Sequence, residues 1–321
     1  MAQIDRALRS NLKLRHLQLV VALDQFRHLG RTAEFLSVSQ PAVSKMLAEV
    51  ESMLGLALFD RSTRGSVPTA AGAAIVRFAR SVLAEYERTR DEIAAEESGA
   101  AGRTRVGAMV VAQPVLLARA VQRLKDRSAQ ATVLVEEGDL TQLLPRLRLG
   151  ELDLFVGRLE PGYAAPDLLT EPLYNEPMAV VVRPDHPLTR KRRTGSPGWA
   201  DLAALPCVLP PPWASLRVKI EQLFFREGLQ PPADIVETAS FLALVTFVRG
   251  RGAAGFMARS VARHFEREGL VRVLALPVPI ELPPVGLITL RGRRLTPISE
   301  QMMACLREAA RELQRRRSIA A

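Results

Sequence analysis

Most of the side chains able to do chemistry in this 321-residue chain are not grouped for it. The four histidines, His16, His28, His186 and His264, are scattered, and no Ser/His/Asp, zinc-ligand or phosphate-loop spacing gives them partners. The two cysteines, Cys207 and Cys305, fit neither a disulfide framework nor a metal-ligand spacing. Gly250-Arg251-Gly252-Ala253-Ala254-Gly255 matches G-x-G-x-x-G. It follows a helix-like run and precedes a strand, however, the reverse of dinucleotide-binding order. No catalytic constellation, metal or cofactor is therefore expected. One stretch stands apart, Ser39-Gln40-Pro41-Ala42-Val43-Ser44-Lys45. Its amide, hydroxyls and ammonium can meet base edges and phosphates, an amide pairing with adenine in particular.

Those groups need an element to aim them. Ser39 sits where an N-cap belongs, and Pro41 is harmless in a first turn whose N–H groups have no intrahelical partner. From Gln40 the apolar residues Val43, Met46, Leu47, Val50 and Leu54 form one face of a helix. Gln40, Pro41, Ser44 and Lys45 fall off that face, so small, polar and cationic groups occupy the helix start. A short helical segment ends near Leu36, three residues before Ser39. A helix over Lys13–Phe26 is expected to pack on the pair through Leu17, Val20, Val21 and Leu23 or Phe26. Taken alone, the helix from Gln40 is equally an ordinary capped amphipathic helix. The stretch after it favours the reading of bases: Leu56 to Gly72 is a short apolar run, a polar tip holding Arg61 and Arg64, and a new helix start, like a wing placed for phosphates or a minor groove.

With these residues the chain resembles the LysR-type transcriptional regulators. The matching residues are Ala33, Leu36, Ser39-Gln40-Pro41-Ala42-Val43-Ser44, Glu51, Leu54-Gly55, Leu58-Phe59, Arg61 and Thr69-Ala70-Ala71-Gly72. It departs from the pattern at Thr32, usually a second alanine, and at Pro68, usually leucine. The resemblance implies a winged helix-turn-helix over 1–72, with Thr32, Ser39, Gln40, Pro41, Ser44, Lys45, Arg61 and Arg64 toward double-stranded operator DNA. A dimerisation helix over 73–98 would come next, then an effector domain over 99–321 similar to two-lobed periplasmic solute-binding proteins. It further implies that the chain leaves the first lobe near 175 and returns near 280, giving lobe I as 103–175 with 281–321 and lobe II as 176–280.

The residues agree with that layout. Thr69 can cap a helix running to about Glu97, in which Ile75, Ala79, Val82, Tyr86, Thr89 and Ile93 recur at 4-3-4-3 spacing, a self-association seam. Ser98-Gly99-Ala100-Ala101-Gly102 reads as a hinge. Then strands Arg105–Val110, Thr132–Glu136 and Leu152–Val156 alternate with helices Pro114–Arg127 and Leu140–Leu149, predicting a parallel sheet. A second set holds strands Met178–Val182, Cys207–Leu209, Ile235–Glu237, Ala254–Met257 and Val271–Leu276. Its helices start at Ser215, Phe241 and Val261. Strand Val285–Leu290 and a helix from Thr296-Pro297 to about Arg316 close the chain. Ligands of open α/β sheets sit at the carboxyl ends of parallel strands. The effector candidates are therefore Val111, Ala112, Gln113, Gly138 and Asp139 in one lobe, and Ser215, Arg217, Thr238, Ser240, Phe241 and Met257 in the other. Arg217 is the expected clamp for a carboxylate, and Ser215, Thr238, Ser240 and Asp139 serve equally as helix caps.

Net charge is +10, yet residues 1–70 hold nine Lys/Arg against six Asp/Glu, and 276–321 hold eight against four. The basic excess is thus not concentrated on the expected DNA-binding part, and charge alone does not make the case. Arg190-Lys191-Arg192-Arg193 and Arg315-Arg316-Arg317 read as a solvated loop and a frayed tail. No apolar run reaches bilayer length and the N-terminus lacks a signal-peptide pattern, so no membrane association and a cytoplasmic location are expected. The expected partners are operator DNA, a small-molecule effector of anionic or sugar-like character, further copies of the chain as dimer or tetramer, and RNA polymerase. Control of sugar or aromatic-acid uptake or catabolism is the pathway the lobes resemble. The alternatives are a solute-binding module whose N-terminal helices only contact proteins, and an α/β enzyme.

Overall fold

The computed structural model describes residues 2–62, 65–98, 102–189, 196–212 and 214–320, without the side chains of 61, 62, 98 and 316–320. Arg64, the run 190–193 and most of the expected hinge lie outside those residues. The chain divides into two compact units, Met1–Arg103 with Leu144–Leu152, and Thr104–Leu143 with Asp153–Ala321.

In the first unit the helices α1 (Ala2–Arg6), α2 (Leu14–Phe26), α3 (Leu29–Phe35) and α4 (Gln40–Leu54) precede a hairpin of β1 (Phe59–Ser62) and β2 (Gly65–Pro68), and α5 (Ala70–Ser98) comes after it. Local chemistry sets each boundary. Lys13 is the cap rather than the first residue of α2, and its N–H donates to His16 Nδ1 at 3.2 Å. The left-handed Arg27 ends α2, and His28 Nδ1 accepts from the Gly30 and Arg31 amides to start α3. Ser39 Oγ accepts from the Ala42 amide as the cap of α4, and Gly55, with φ +67°, ends that helix. Leu19, Leu23, Val43, Leu47, Val50 and Leu58 form the sealed core.

Several residues of the resemblance prove to be fasteners. Glu51 Oε1 accepts from the Leu58 and Phe59 amides at 2.8 and 3.3 Å, tying α4 to the hairpin. Thr69 Oγ1 accepts from the Gly72 amide and donates to the Ala57 carbonyl, capping α5 and tying it back. A Cβ on Gly72 would lie 1.9 Å from the Leu58 carbonyl oxygen, so only glycine lets α5 start so close to that strand.

The expected seam along α5 is corrected at its start. Ala79 is fully buried in the core of this unit, and Ile75 and Val82 pack against the same core, because α2 covers that face. Among the described residues, the large apolar side chains that α5 leaves exposed are Phe78, Tyr86 and Ile93.

The second unit carries two five-stranded sheets. Along the chain come β3 (Arg103–Ala108), α6 (Ala118–Arg127), β4 (Thr132–Glu137), α7 (Leu140–Leu149, whose residues from Leu144 on belong to the first unit), β5 (Leu154–Arg158) and β6 (Leu168–Tyr174). They are followed by β7 (Met178–Val182), α8 (Trp199–Ala203), β8 (Cys207–Leu209), α9 (Ser215–Arg226), β9 (Ile235–Glu237), α10 (Phe241–Arg251), β10 (Ala254–Ala258), α11 (Arg259–Arg267) and β11 (Arg272–Val273). Last are β12 (Val285–Leu290) and α12 (Pro297–Ala320). The sheet orders are β4-β3-β5-β12-β6 and β11-β7-β10-β8-β9. The chain thus crosses from the first sheet to the second between Tyr174 and Met178, and crosses back between Val273 and Val285.

Both sheets are mixed; the parallel arrangement expected of the first strand set holds between β3 and β5, and the later strand β12 is what makes that sheet mixed. β3 and β5 are parallel, as are β8 with β9 and with β10, but β12 runs antiparallel to β5 and β6, and β7 antiparallel to β10. The strand β6 is an addition to the expected set. It lies at a sheet edge, where Pro172 is tolerated, with a register shift opposite it at Val285/Gly286. The core of the second lobe centres on Trp199, packed edge-on to Phe224 at 5.2 Å and stacked on Phe256 at 6.3 Å.

Candidate DNA-reading helix and ligand cavity

Of the residues expected to face DNA, those at the start of α4 reach the surface, whereas one in α3 does not. Ser39, Gln40, Pro41 and Lys45 are exposed, and Ser44 is half-buried one turn on. Val43, Leu47, Val50 and Leu54 anchor the opposite face in the core, so the exposed row is held by a rigid element. Gln40 lies against the first turn of α3: a Cβ on Gly30 would stand 3.6 Å from Gln40 Oε1. Thr32 is the exception. It is 0 % exposed, and its hydroxyl donates to the His28 carbonyl at 2.9 Å inside α3. It supports the helix-turn-helix from within and is withdrawn from the outward-facing set. Arg61 lies on β1 opposite Ser66. Exposed Arg31, at the start of α3, was passed over in the sequence although it lies in the turn that His28 caps.

The second unit holds a cavity of about 500 Å³. Seven of the expected effector residues line it: Val111, Asp139, Ser215, Thr238, Ser240, Phe241 and Met257. They come from the ends of strands and the starts of α7, α9 and α10. Four expected residues do not. Ala112 is fully buried, Gly138 lies beside the lining residue Asp139, and Gln113 donates to the Ala108 carbonyl and Glu137 Oε2. Arg217, the expected clamp, is turned to other partners: its guanidinium donates to Glu221 Oε1 at 2.6 Å, Glu237 Oε1 at 2.8 Å and the Pro210 carbonyl at 3.1 Å. An arginine this well paired fixes α9 to β9 and does not reach the wall.

Of the four expected caps two are as anticipated and two are not. Thr238 lies two residues ahead of the α10 cap, its hydroxyl accepting from the Ser240 amide. Asp139 Oδ1 accepts from the Thr141 and Gln142 amides, and Ser240 Oγ accepts from Ala243, closing the starts of α7 and α10. Ser215 is the first residue of α9 rather than its cap, Ala214 holds that position, and no side chain caps the helix there. Ala214, Ser215 and Leu216 all line the cavity. The sequence reading missed Arg158, Glu160 and Tyr163, which bring charge and a phenol to the wall. Arg158 ends β5, so the strand-end rule applied to β3 and β4 would have found it.

Comparison with known proteins decides what this pairing of units is. Residues 14–73 match the model of the bacterial regulatory helix-turn-helix proteins of the lysR family, and residues 97–311 match the LysR substrate binding domain. The chain belongs to the LysR family. Among LysR-family relatives, the HTH-type transcriptional regulator GbpR of Azospirillum brasilense is 33% identical over 96% of this chain and 90% of its own length. Among solved LysR folds, CbnR superposes with a TM-score of 0.70 at 22% identity, covering 93% of this chain and 99% of that one. A single-substitution variant of full-length OxyR from Pseudomonas aeruginosa gives a TM-score of 0.62 at 26% identity, covering 94% and 96%. In this LysR member burial pushes the Cys207 thiol up to about 12, and Cys305 is also raised, chiefly by burial. Both are held as thiols, which are poor nucleophiles.

Proposed function

We propose that this LysR-family regulator reads operator DNA with the start of α4, flanked by the wing, under the control of a small molecule held in the 500 Å³ cavity. The observation that carries the first part is the row Ser39, Gln40, Pro41, Ser44 and Lys45 at the start of a helix whose other face is sealed in the core. Gln40 carries an amide able to pair with an adenine edge, with Ser44 one turn on. Lys45, Arg31, Arg61 and Arg64 supply charge for phosphates. The protein acts in the cytoplasm as a dimer or tetramer, self-associating through Phe78, Tyr86 and Ile93 of α5, with RNA polymerase as its downstream partner.

The effector is a small organic acid with an apolar or aromatic body. Met109, Met178, Phe241, Leu244, Phe256 and Met257 make most of the wall apolar, whereas a sugar asks for polar partners all round its ring. Binding in the cavity rather than thiol oxidation carries the signal, because both cysteines are buried and held protonated.

The experiment is nuclease footprinting of the full-length protein on DNA adjacent to its own gene. Protection of two half-sites about one helical turn or a multiple of it apart is the expected result. Uniform coverage no stronger than on unrelated DNA would leave only a general polyanion binder.

A further inference from the structure

Arg158 stands where the cavity wall meets both connections between the lobes. It ends β5, is 6 % exposed, and lines the cavity. Its Nη1 donates to the Pro283 carbonyl and its Nη2 to the Glu176 carbonyl, each at 2.8 Å. Glu176 lies in the outgoing connection between β6 and β7; Pro283 lies in the returning one before β12. Each connection is fixed at a second point. The Glu176 carboxylate, 2 % exposed, accepts from the Ser260 amide at 3.1 Å and its hydroxyl at 2.7 Å, and the Arg259 amide donates to the Pro177 carbonyl. The outgoing connection is thereby fastened to the start of α11. The Leu159 amide donates to the Pro284 carbonyl at 2.9 Å, fastening the returning one to the end of β5.

Among the described residues, Arg158 is the one cationic side chain on the cavity wall. A guanidinium meets a carboxylate in short charge-assisted bonds, and its fork can engage both carboxylate oxygens at once, which a single carbonyl oxygen does not offer. We propose that Arg158 seats the carboxylate of the effector and, by redistributing its hydrogen bonds between that carboxylate and the Pro283 and Glu176 carbonyls, passes occupancy of the cavity to both inter-lobe connections. The inference rests on the reading of the cavity as the effector site and names the residue that senses there. Asp139 and Glu160 put two carboxylates on the same wall. The remainder of the effector is therefore neutral or a hydrogen-bond donor, which narrows the class to monocarboxylates such as hydroxylated aromatic acids.

The test uses the full-length protein, with benzoate and 4-hydroxybenzoate as probes and their carboxamides as uncharged counterparts. Calorimetry measures affinity, and hydrogen exchange follows the amides of Asn175, Glu176 and Met178 in the outgoing connection and of Glu281, Leu282 and Val285 flanking the two prolines of the returning one. Arg158→Met is expected to weaken carboxylate binding about 10- to 100-fold while leaving the weaker carboxamide binding within about twofold. Arg158→Lys keeps the charge but cannot span two carbonyls and a carboxylate. It should retain most of the carboxylate affinity while losing the ligand-dependent change in exchange, and it decides the matter alone if Arg158→Met does not fold. Carboxamide binding falling as far as carboxylate binding would mean lost packing and would overturn the proposal. So would wild-type exchange at both segments that ignores a bound carboxylate. Equal carboxylate affinity in wild type and Arg158→Met removes Arg158 alone and leaves the cavity reading standing. If no carboxylate binds the wild type, the organic-acid reading falls together with the inference.

Discussion

Buried histidines show how single side chains tie this fold to solution conditions. His16 is 0 % exposed and His186 4 % exposed, and each Nδ1 accepts a backbone N–H, from Lys13 and from Leu188. Burial is the largest influence on both and lowers both pKa values, so the rings stay neutral in the folded protein where unfolded ones would take a proton. Below the ordinary histidine value of about 6.5 the unfolded chain then binds more protons than the native one, and stability falls with pH until the lowered folded pKa values are passed. Above about pH 7 the two rings contribute no slope. The melting temperature should therefore hold level from pH 8 to 7 and drop between pH 6.5 and 5.5, with the drop lessened by His16→Gln. A level profile throughout would show that these rings are not held neutral. Thr32 and Arg217 teach the same lesson from the other side. Polar side chains that look available in the sequence are committed, one to a carbonyl within its own helix and one to Glu221 and Glu237.

Among the elements, α5 does two jobs that its heptad spacing merges into one. Ile75, Ala79 and Val82 close the core of the first unit, whereas Tyr86 and Ile93 are 45 % and 53 % exposed. If the outer stripe carries self-association, Tyr86→Glu combined with Ile93→Glu places unpaired carboxylates in an apolar interface, where they are strongly disfavoured. Sedimentation should then show a lighter species with unchanged circular dichroism; wild-type mass would rule the stripe out. The element starts were legible wherever punctuation is local. Ser39 before α4, Thr69 before α5, Thr296-Pro297 before α12 and Gly150 after α7 are signals a short window contains. Strand direction is not local: nothing within Val285–Leu290 tells that it runs antiparallel to β5, and Pro172 hid the edge strand β6. The cavity was half legible for the same reason. Residues following β3, β4 and β9 could be placed by one rule, but the Glu237 that takes Arg217 away from the cavity is twenty residues distant in sequence.

For the whole chain, the consequence is that two binding events share one polypeptide. Any ligand that changes DNA affinity must have its own affinity changed by DNA to the same factor, which makes the regulatory claim a thermodynamic one. Beneath it lies the claim that the chain reads sequence at all, and Gln40 is where that is decided. The most direct measurement is fluorescence anisotropy of wild type and Gln40→Ala on the footprinted duplex and on random DNA, at several salt concentrations. Ser39→Ala serves as a control that removes a cap worth about 1 kcal/mol and acts through stability. If the start of α4 reads bases, Gln40→Ala costs about 1–3 kcal/mol on the preferred duplex and little on random DNA, with the salt slope unchanged because no phosphate contact is lost. Equal weakening on both duplexes would contradict it: the start of α4 would then hold DNA without reading its bases.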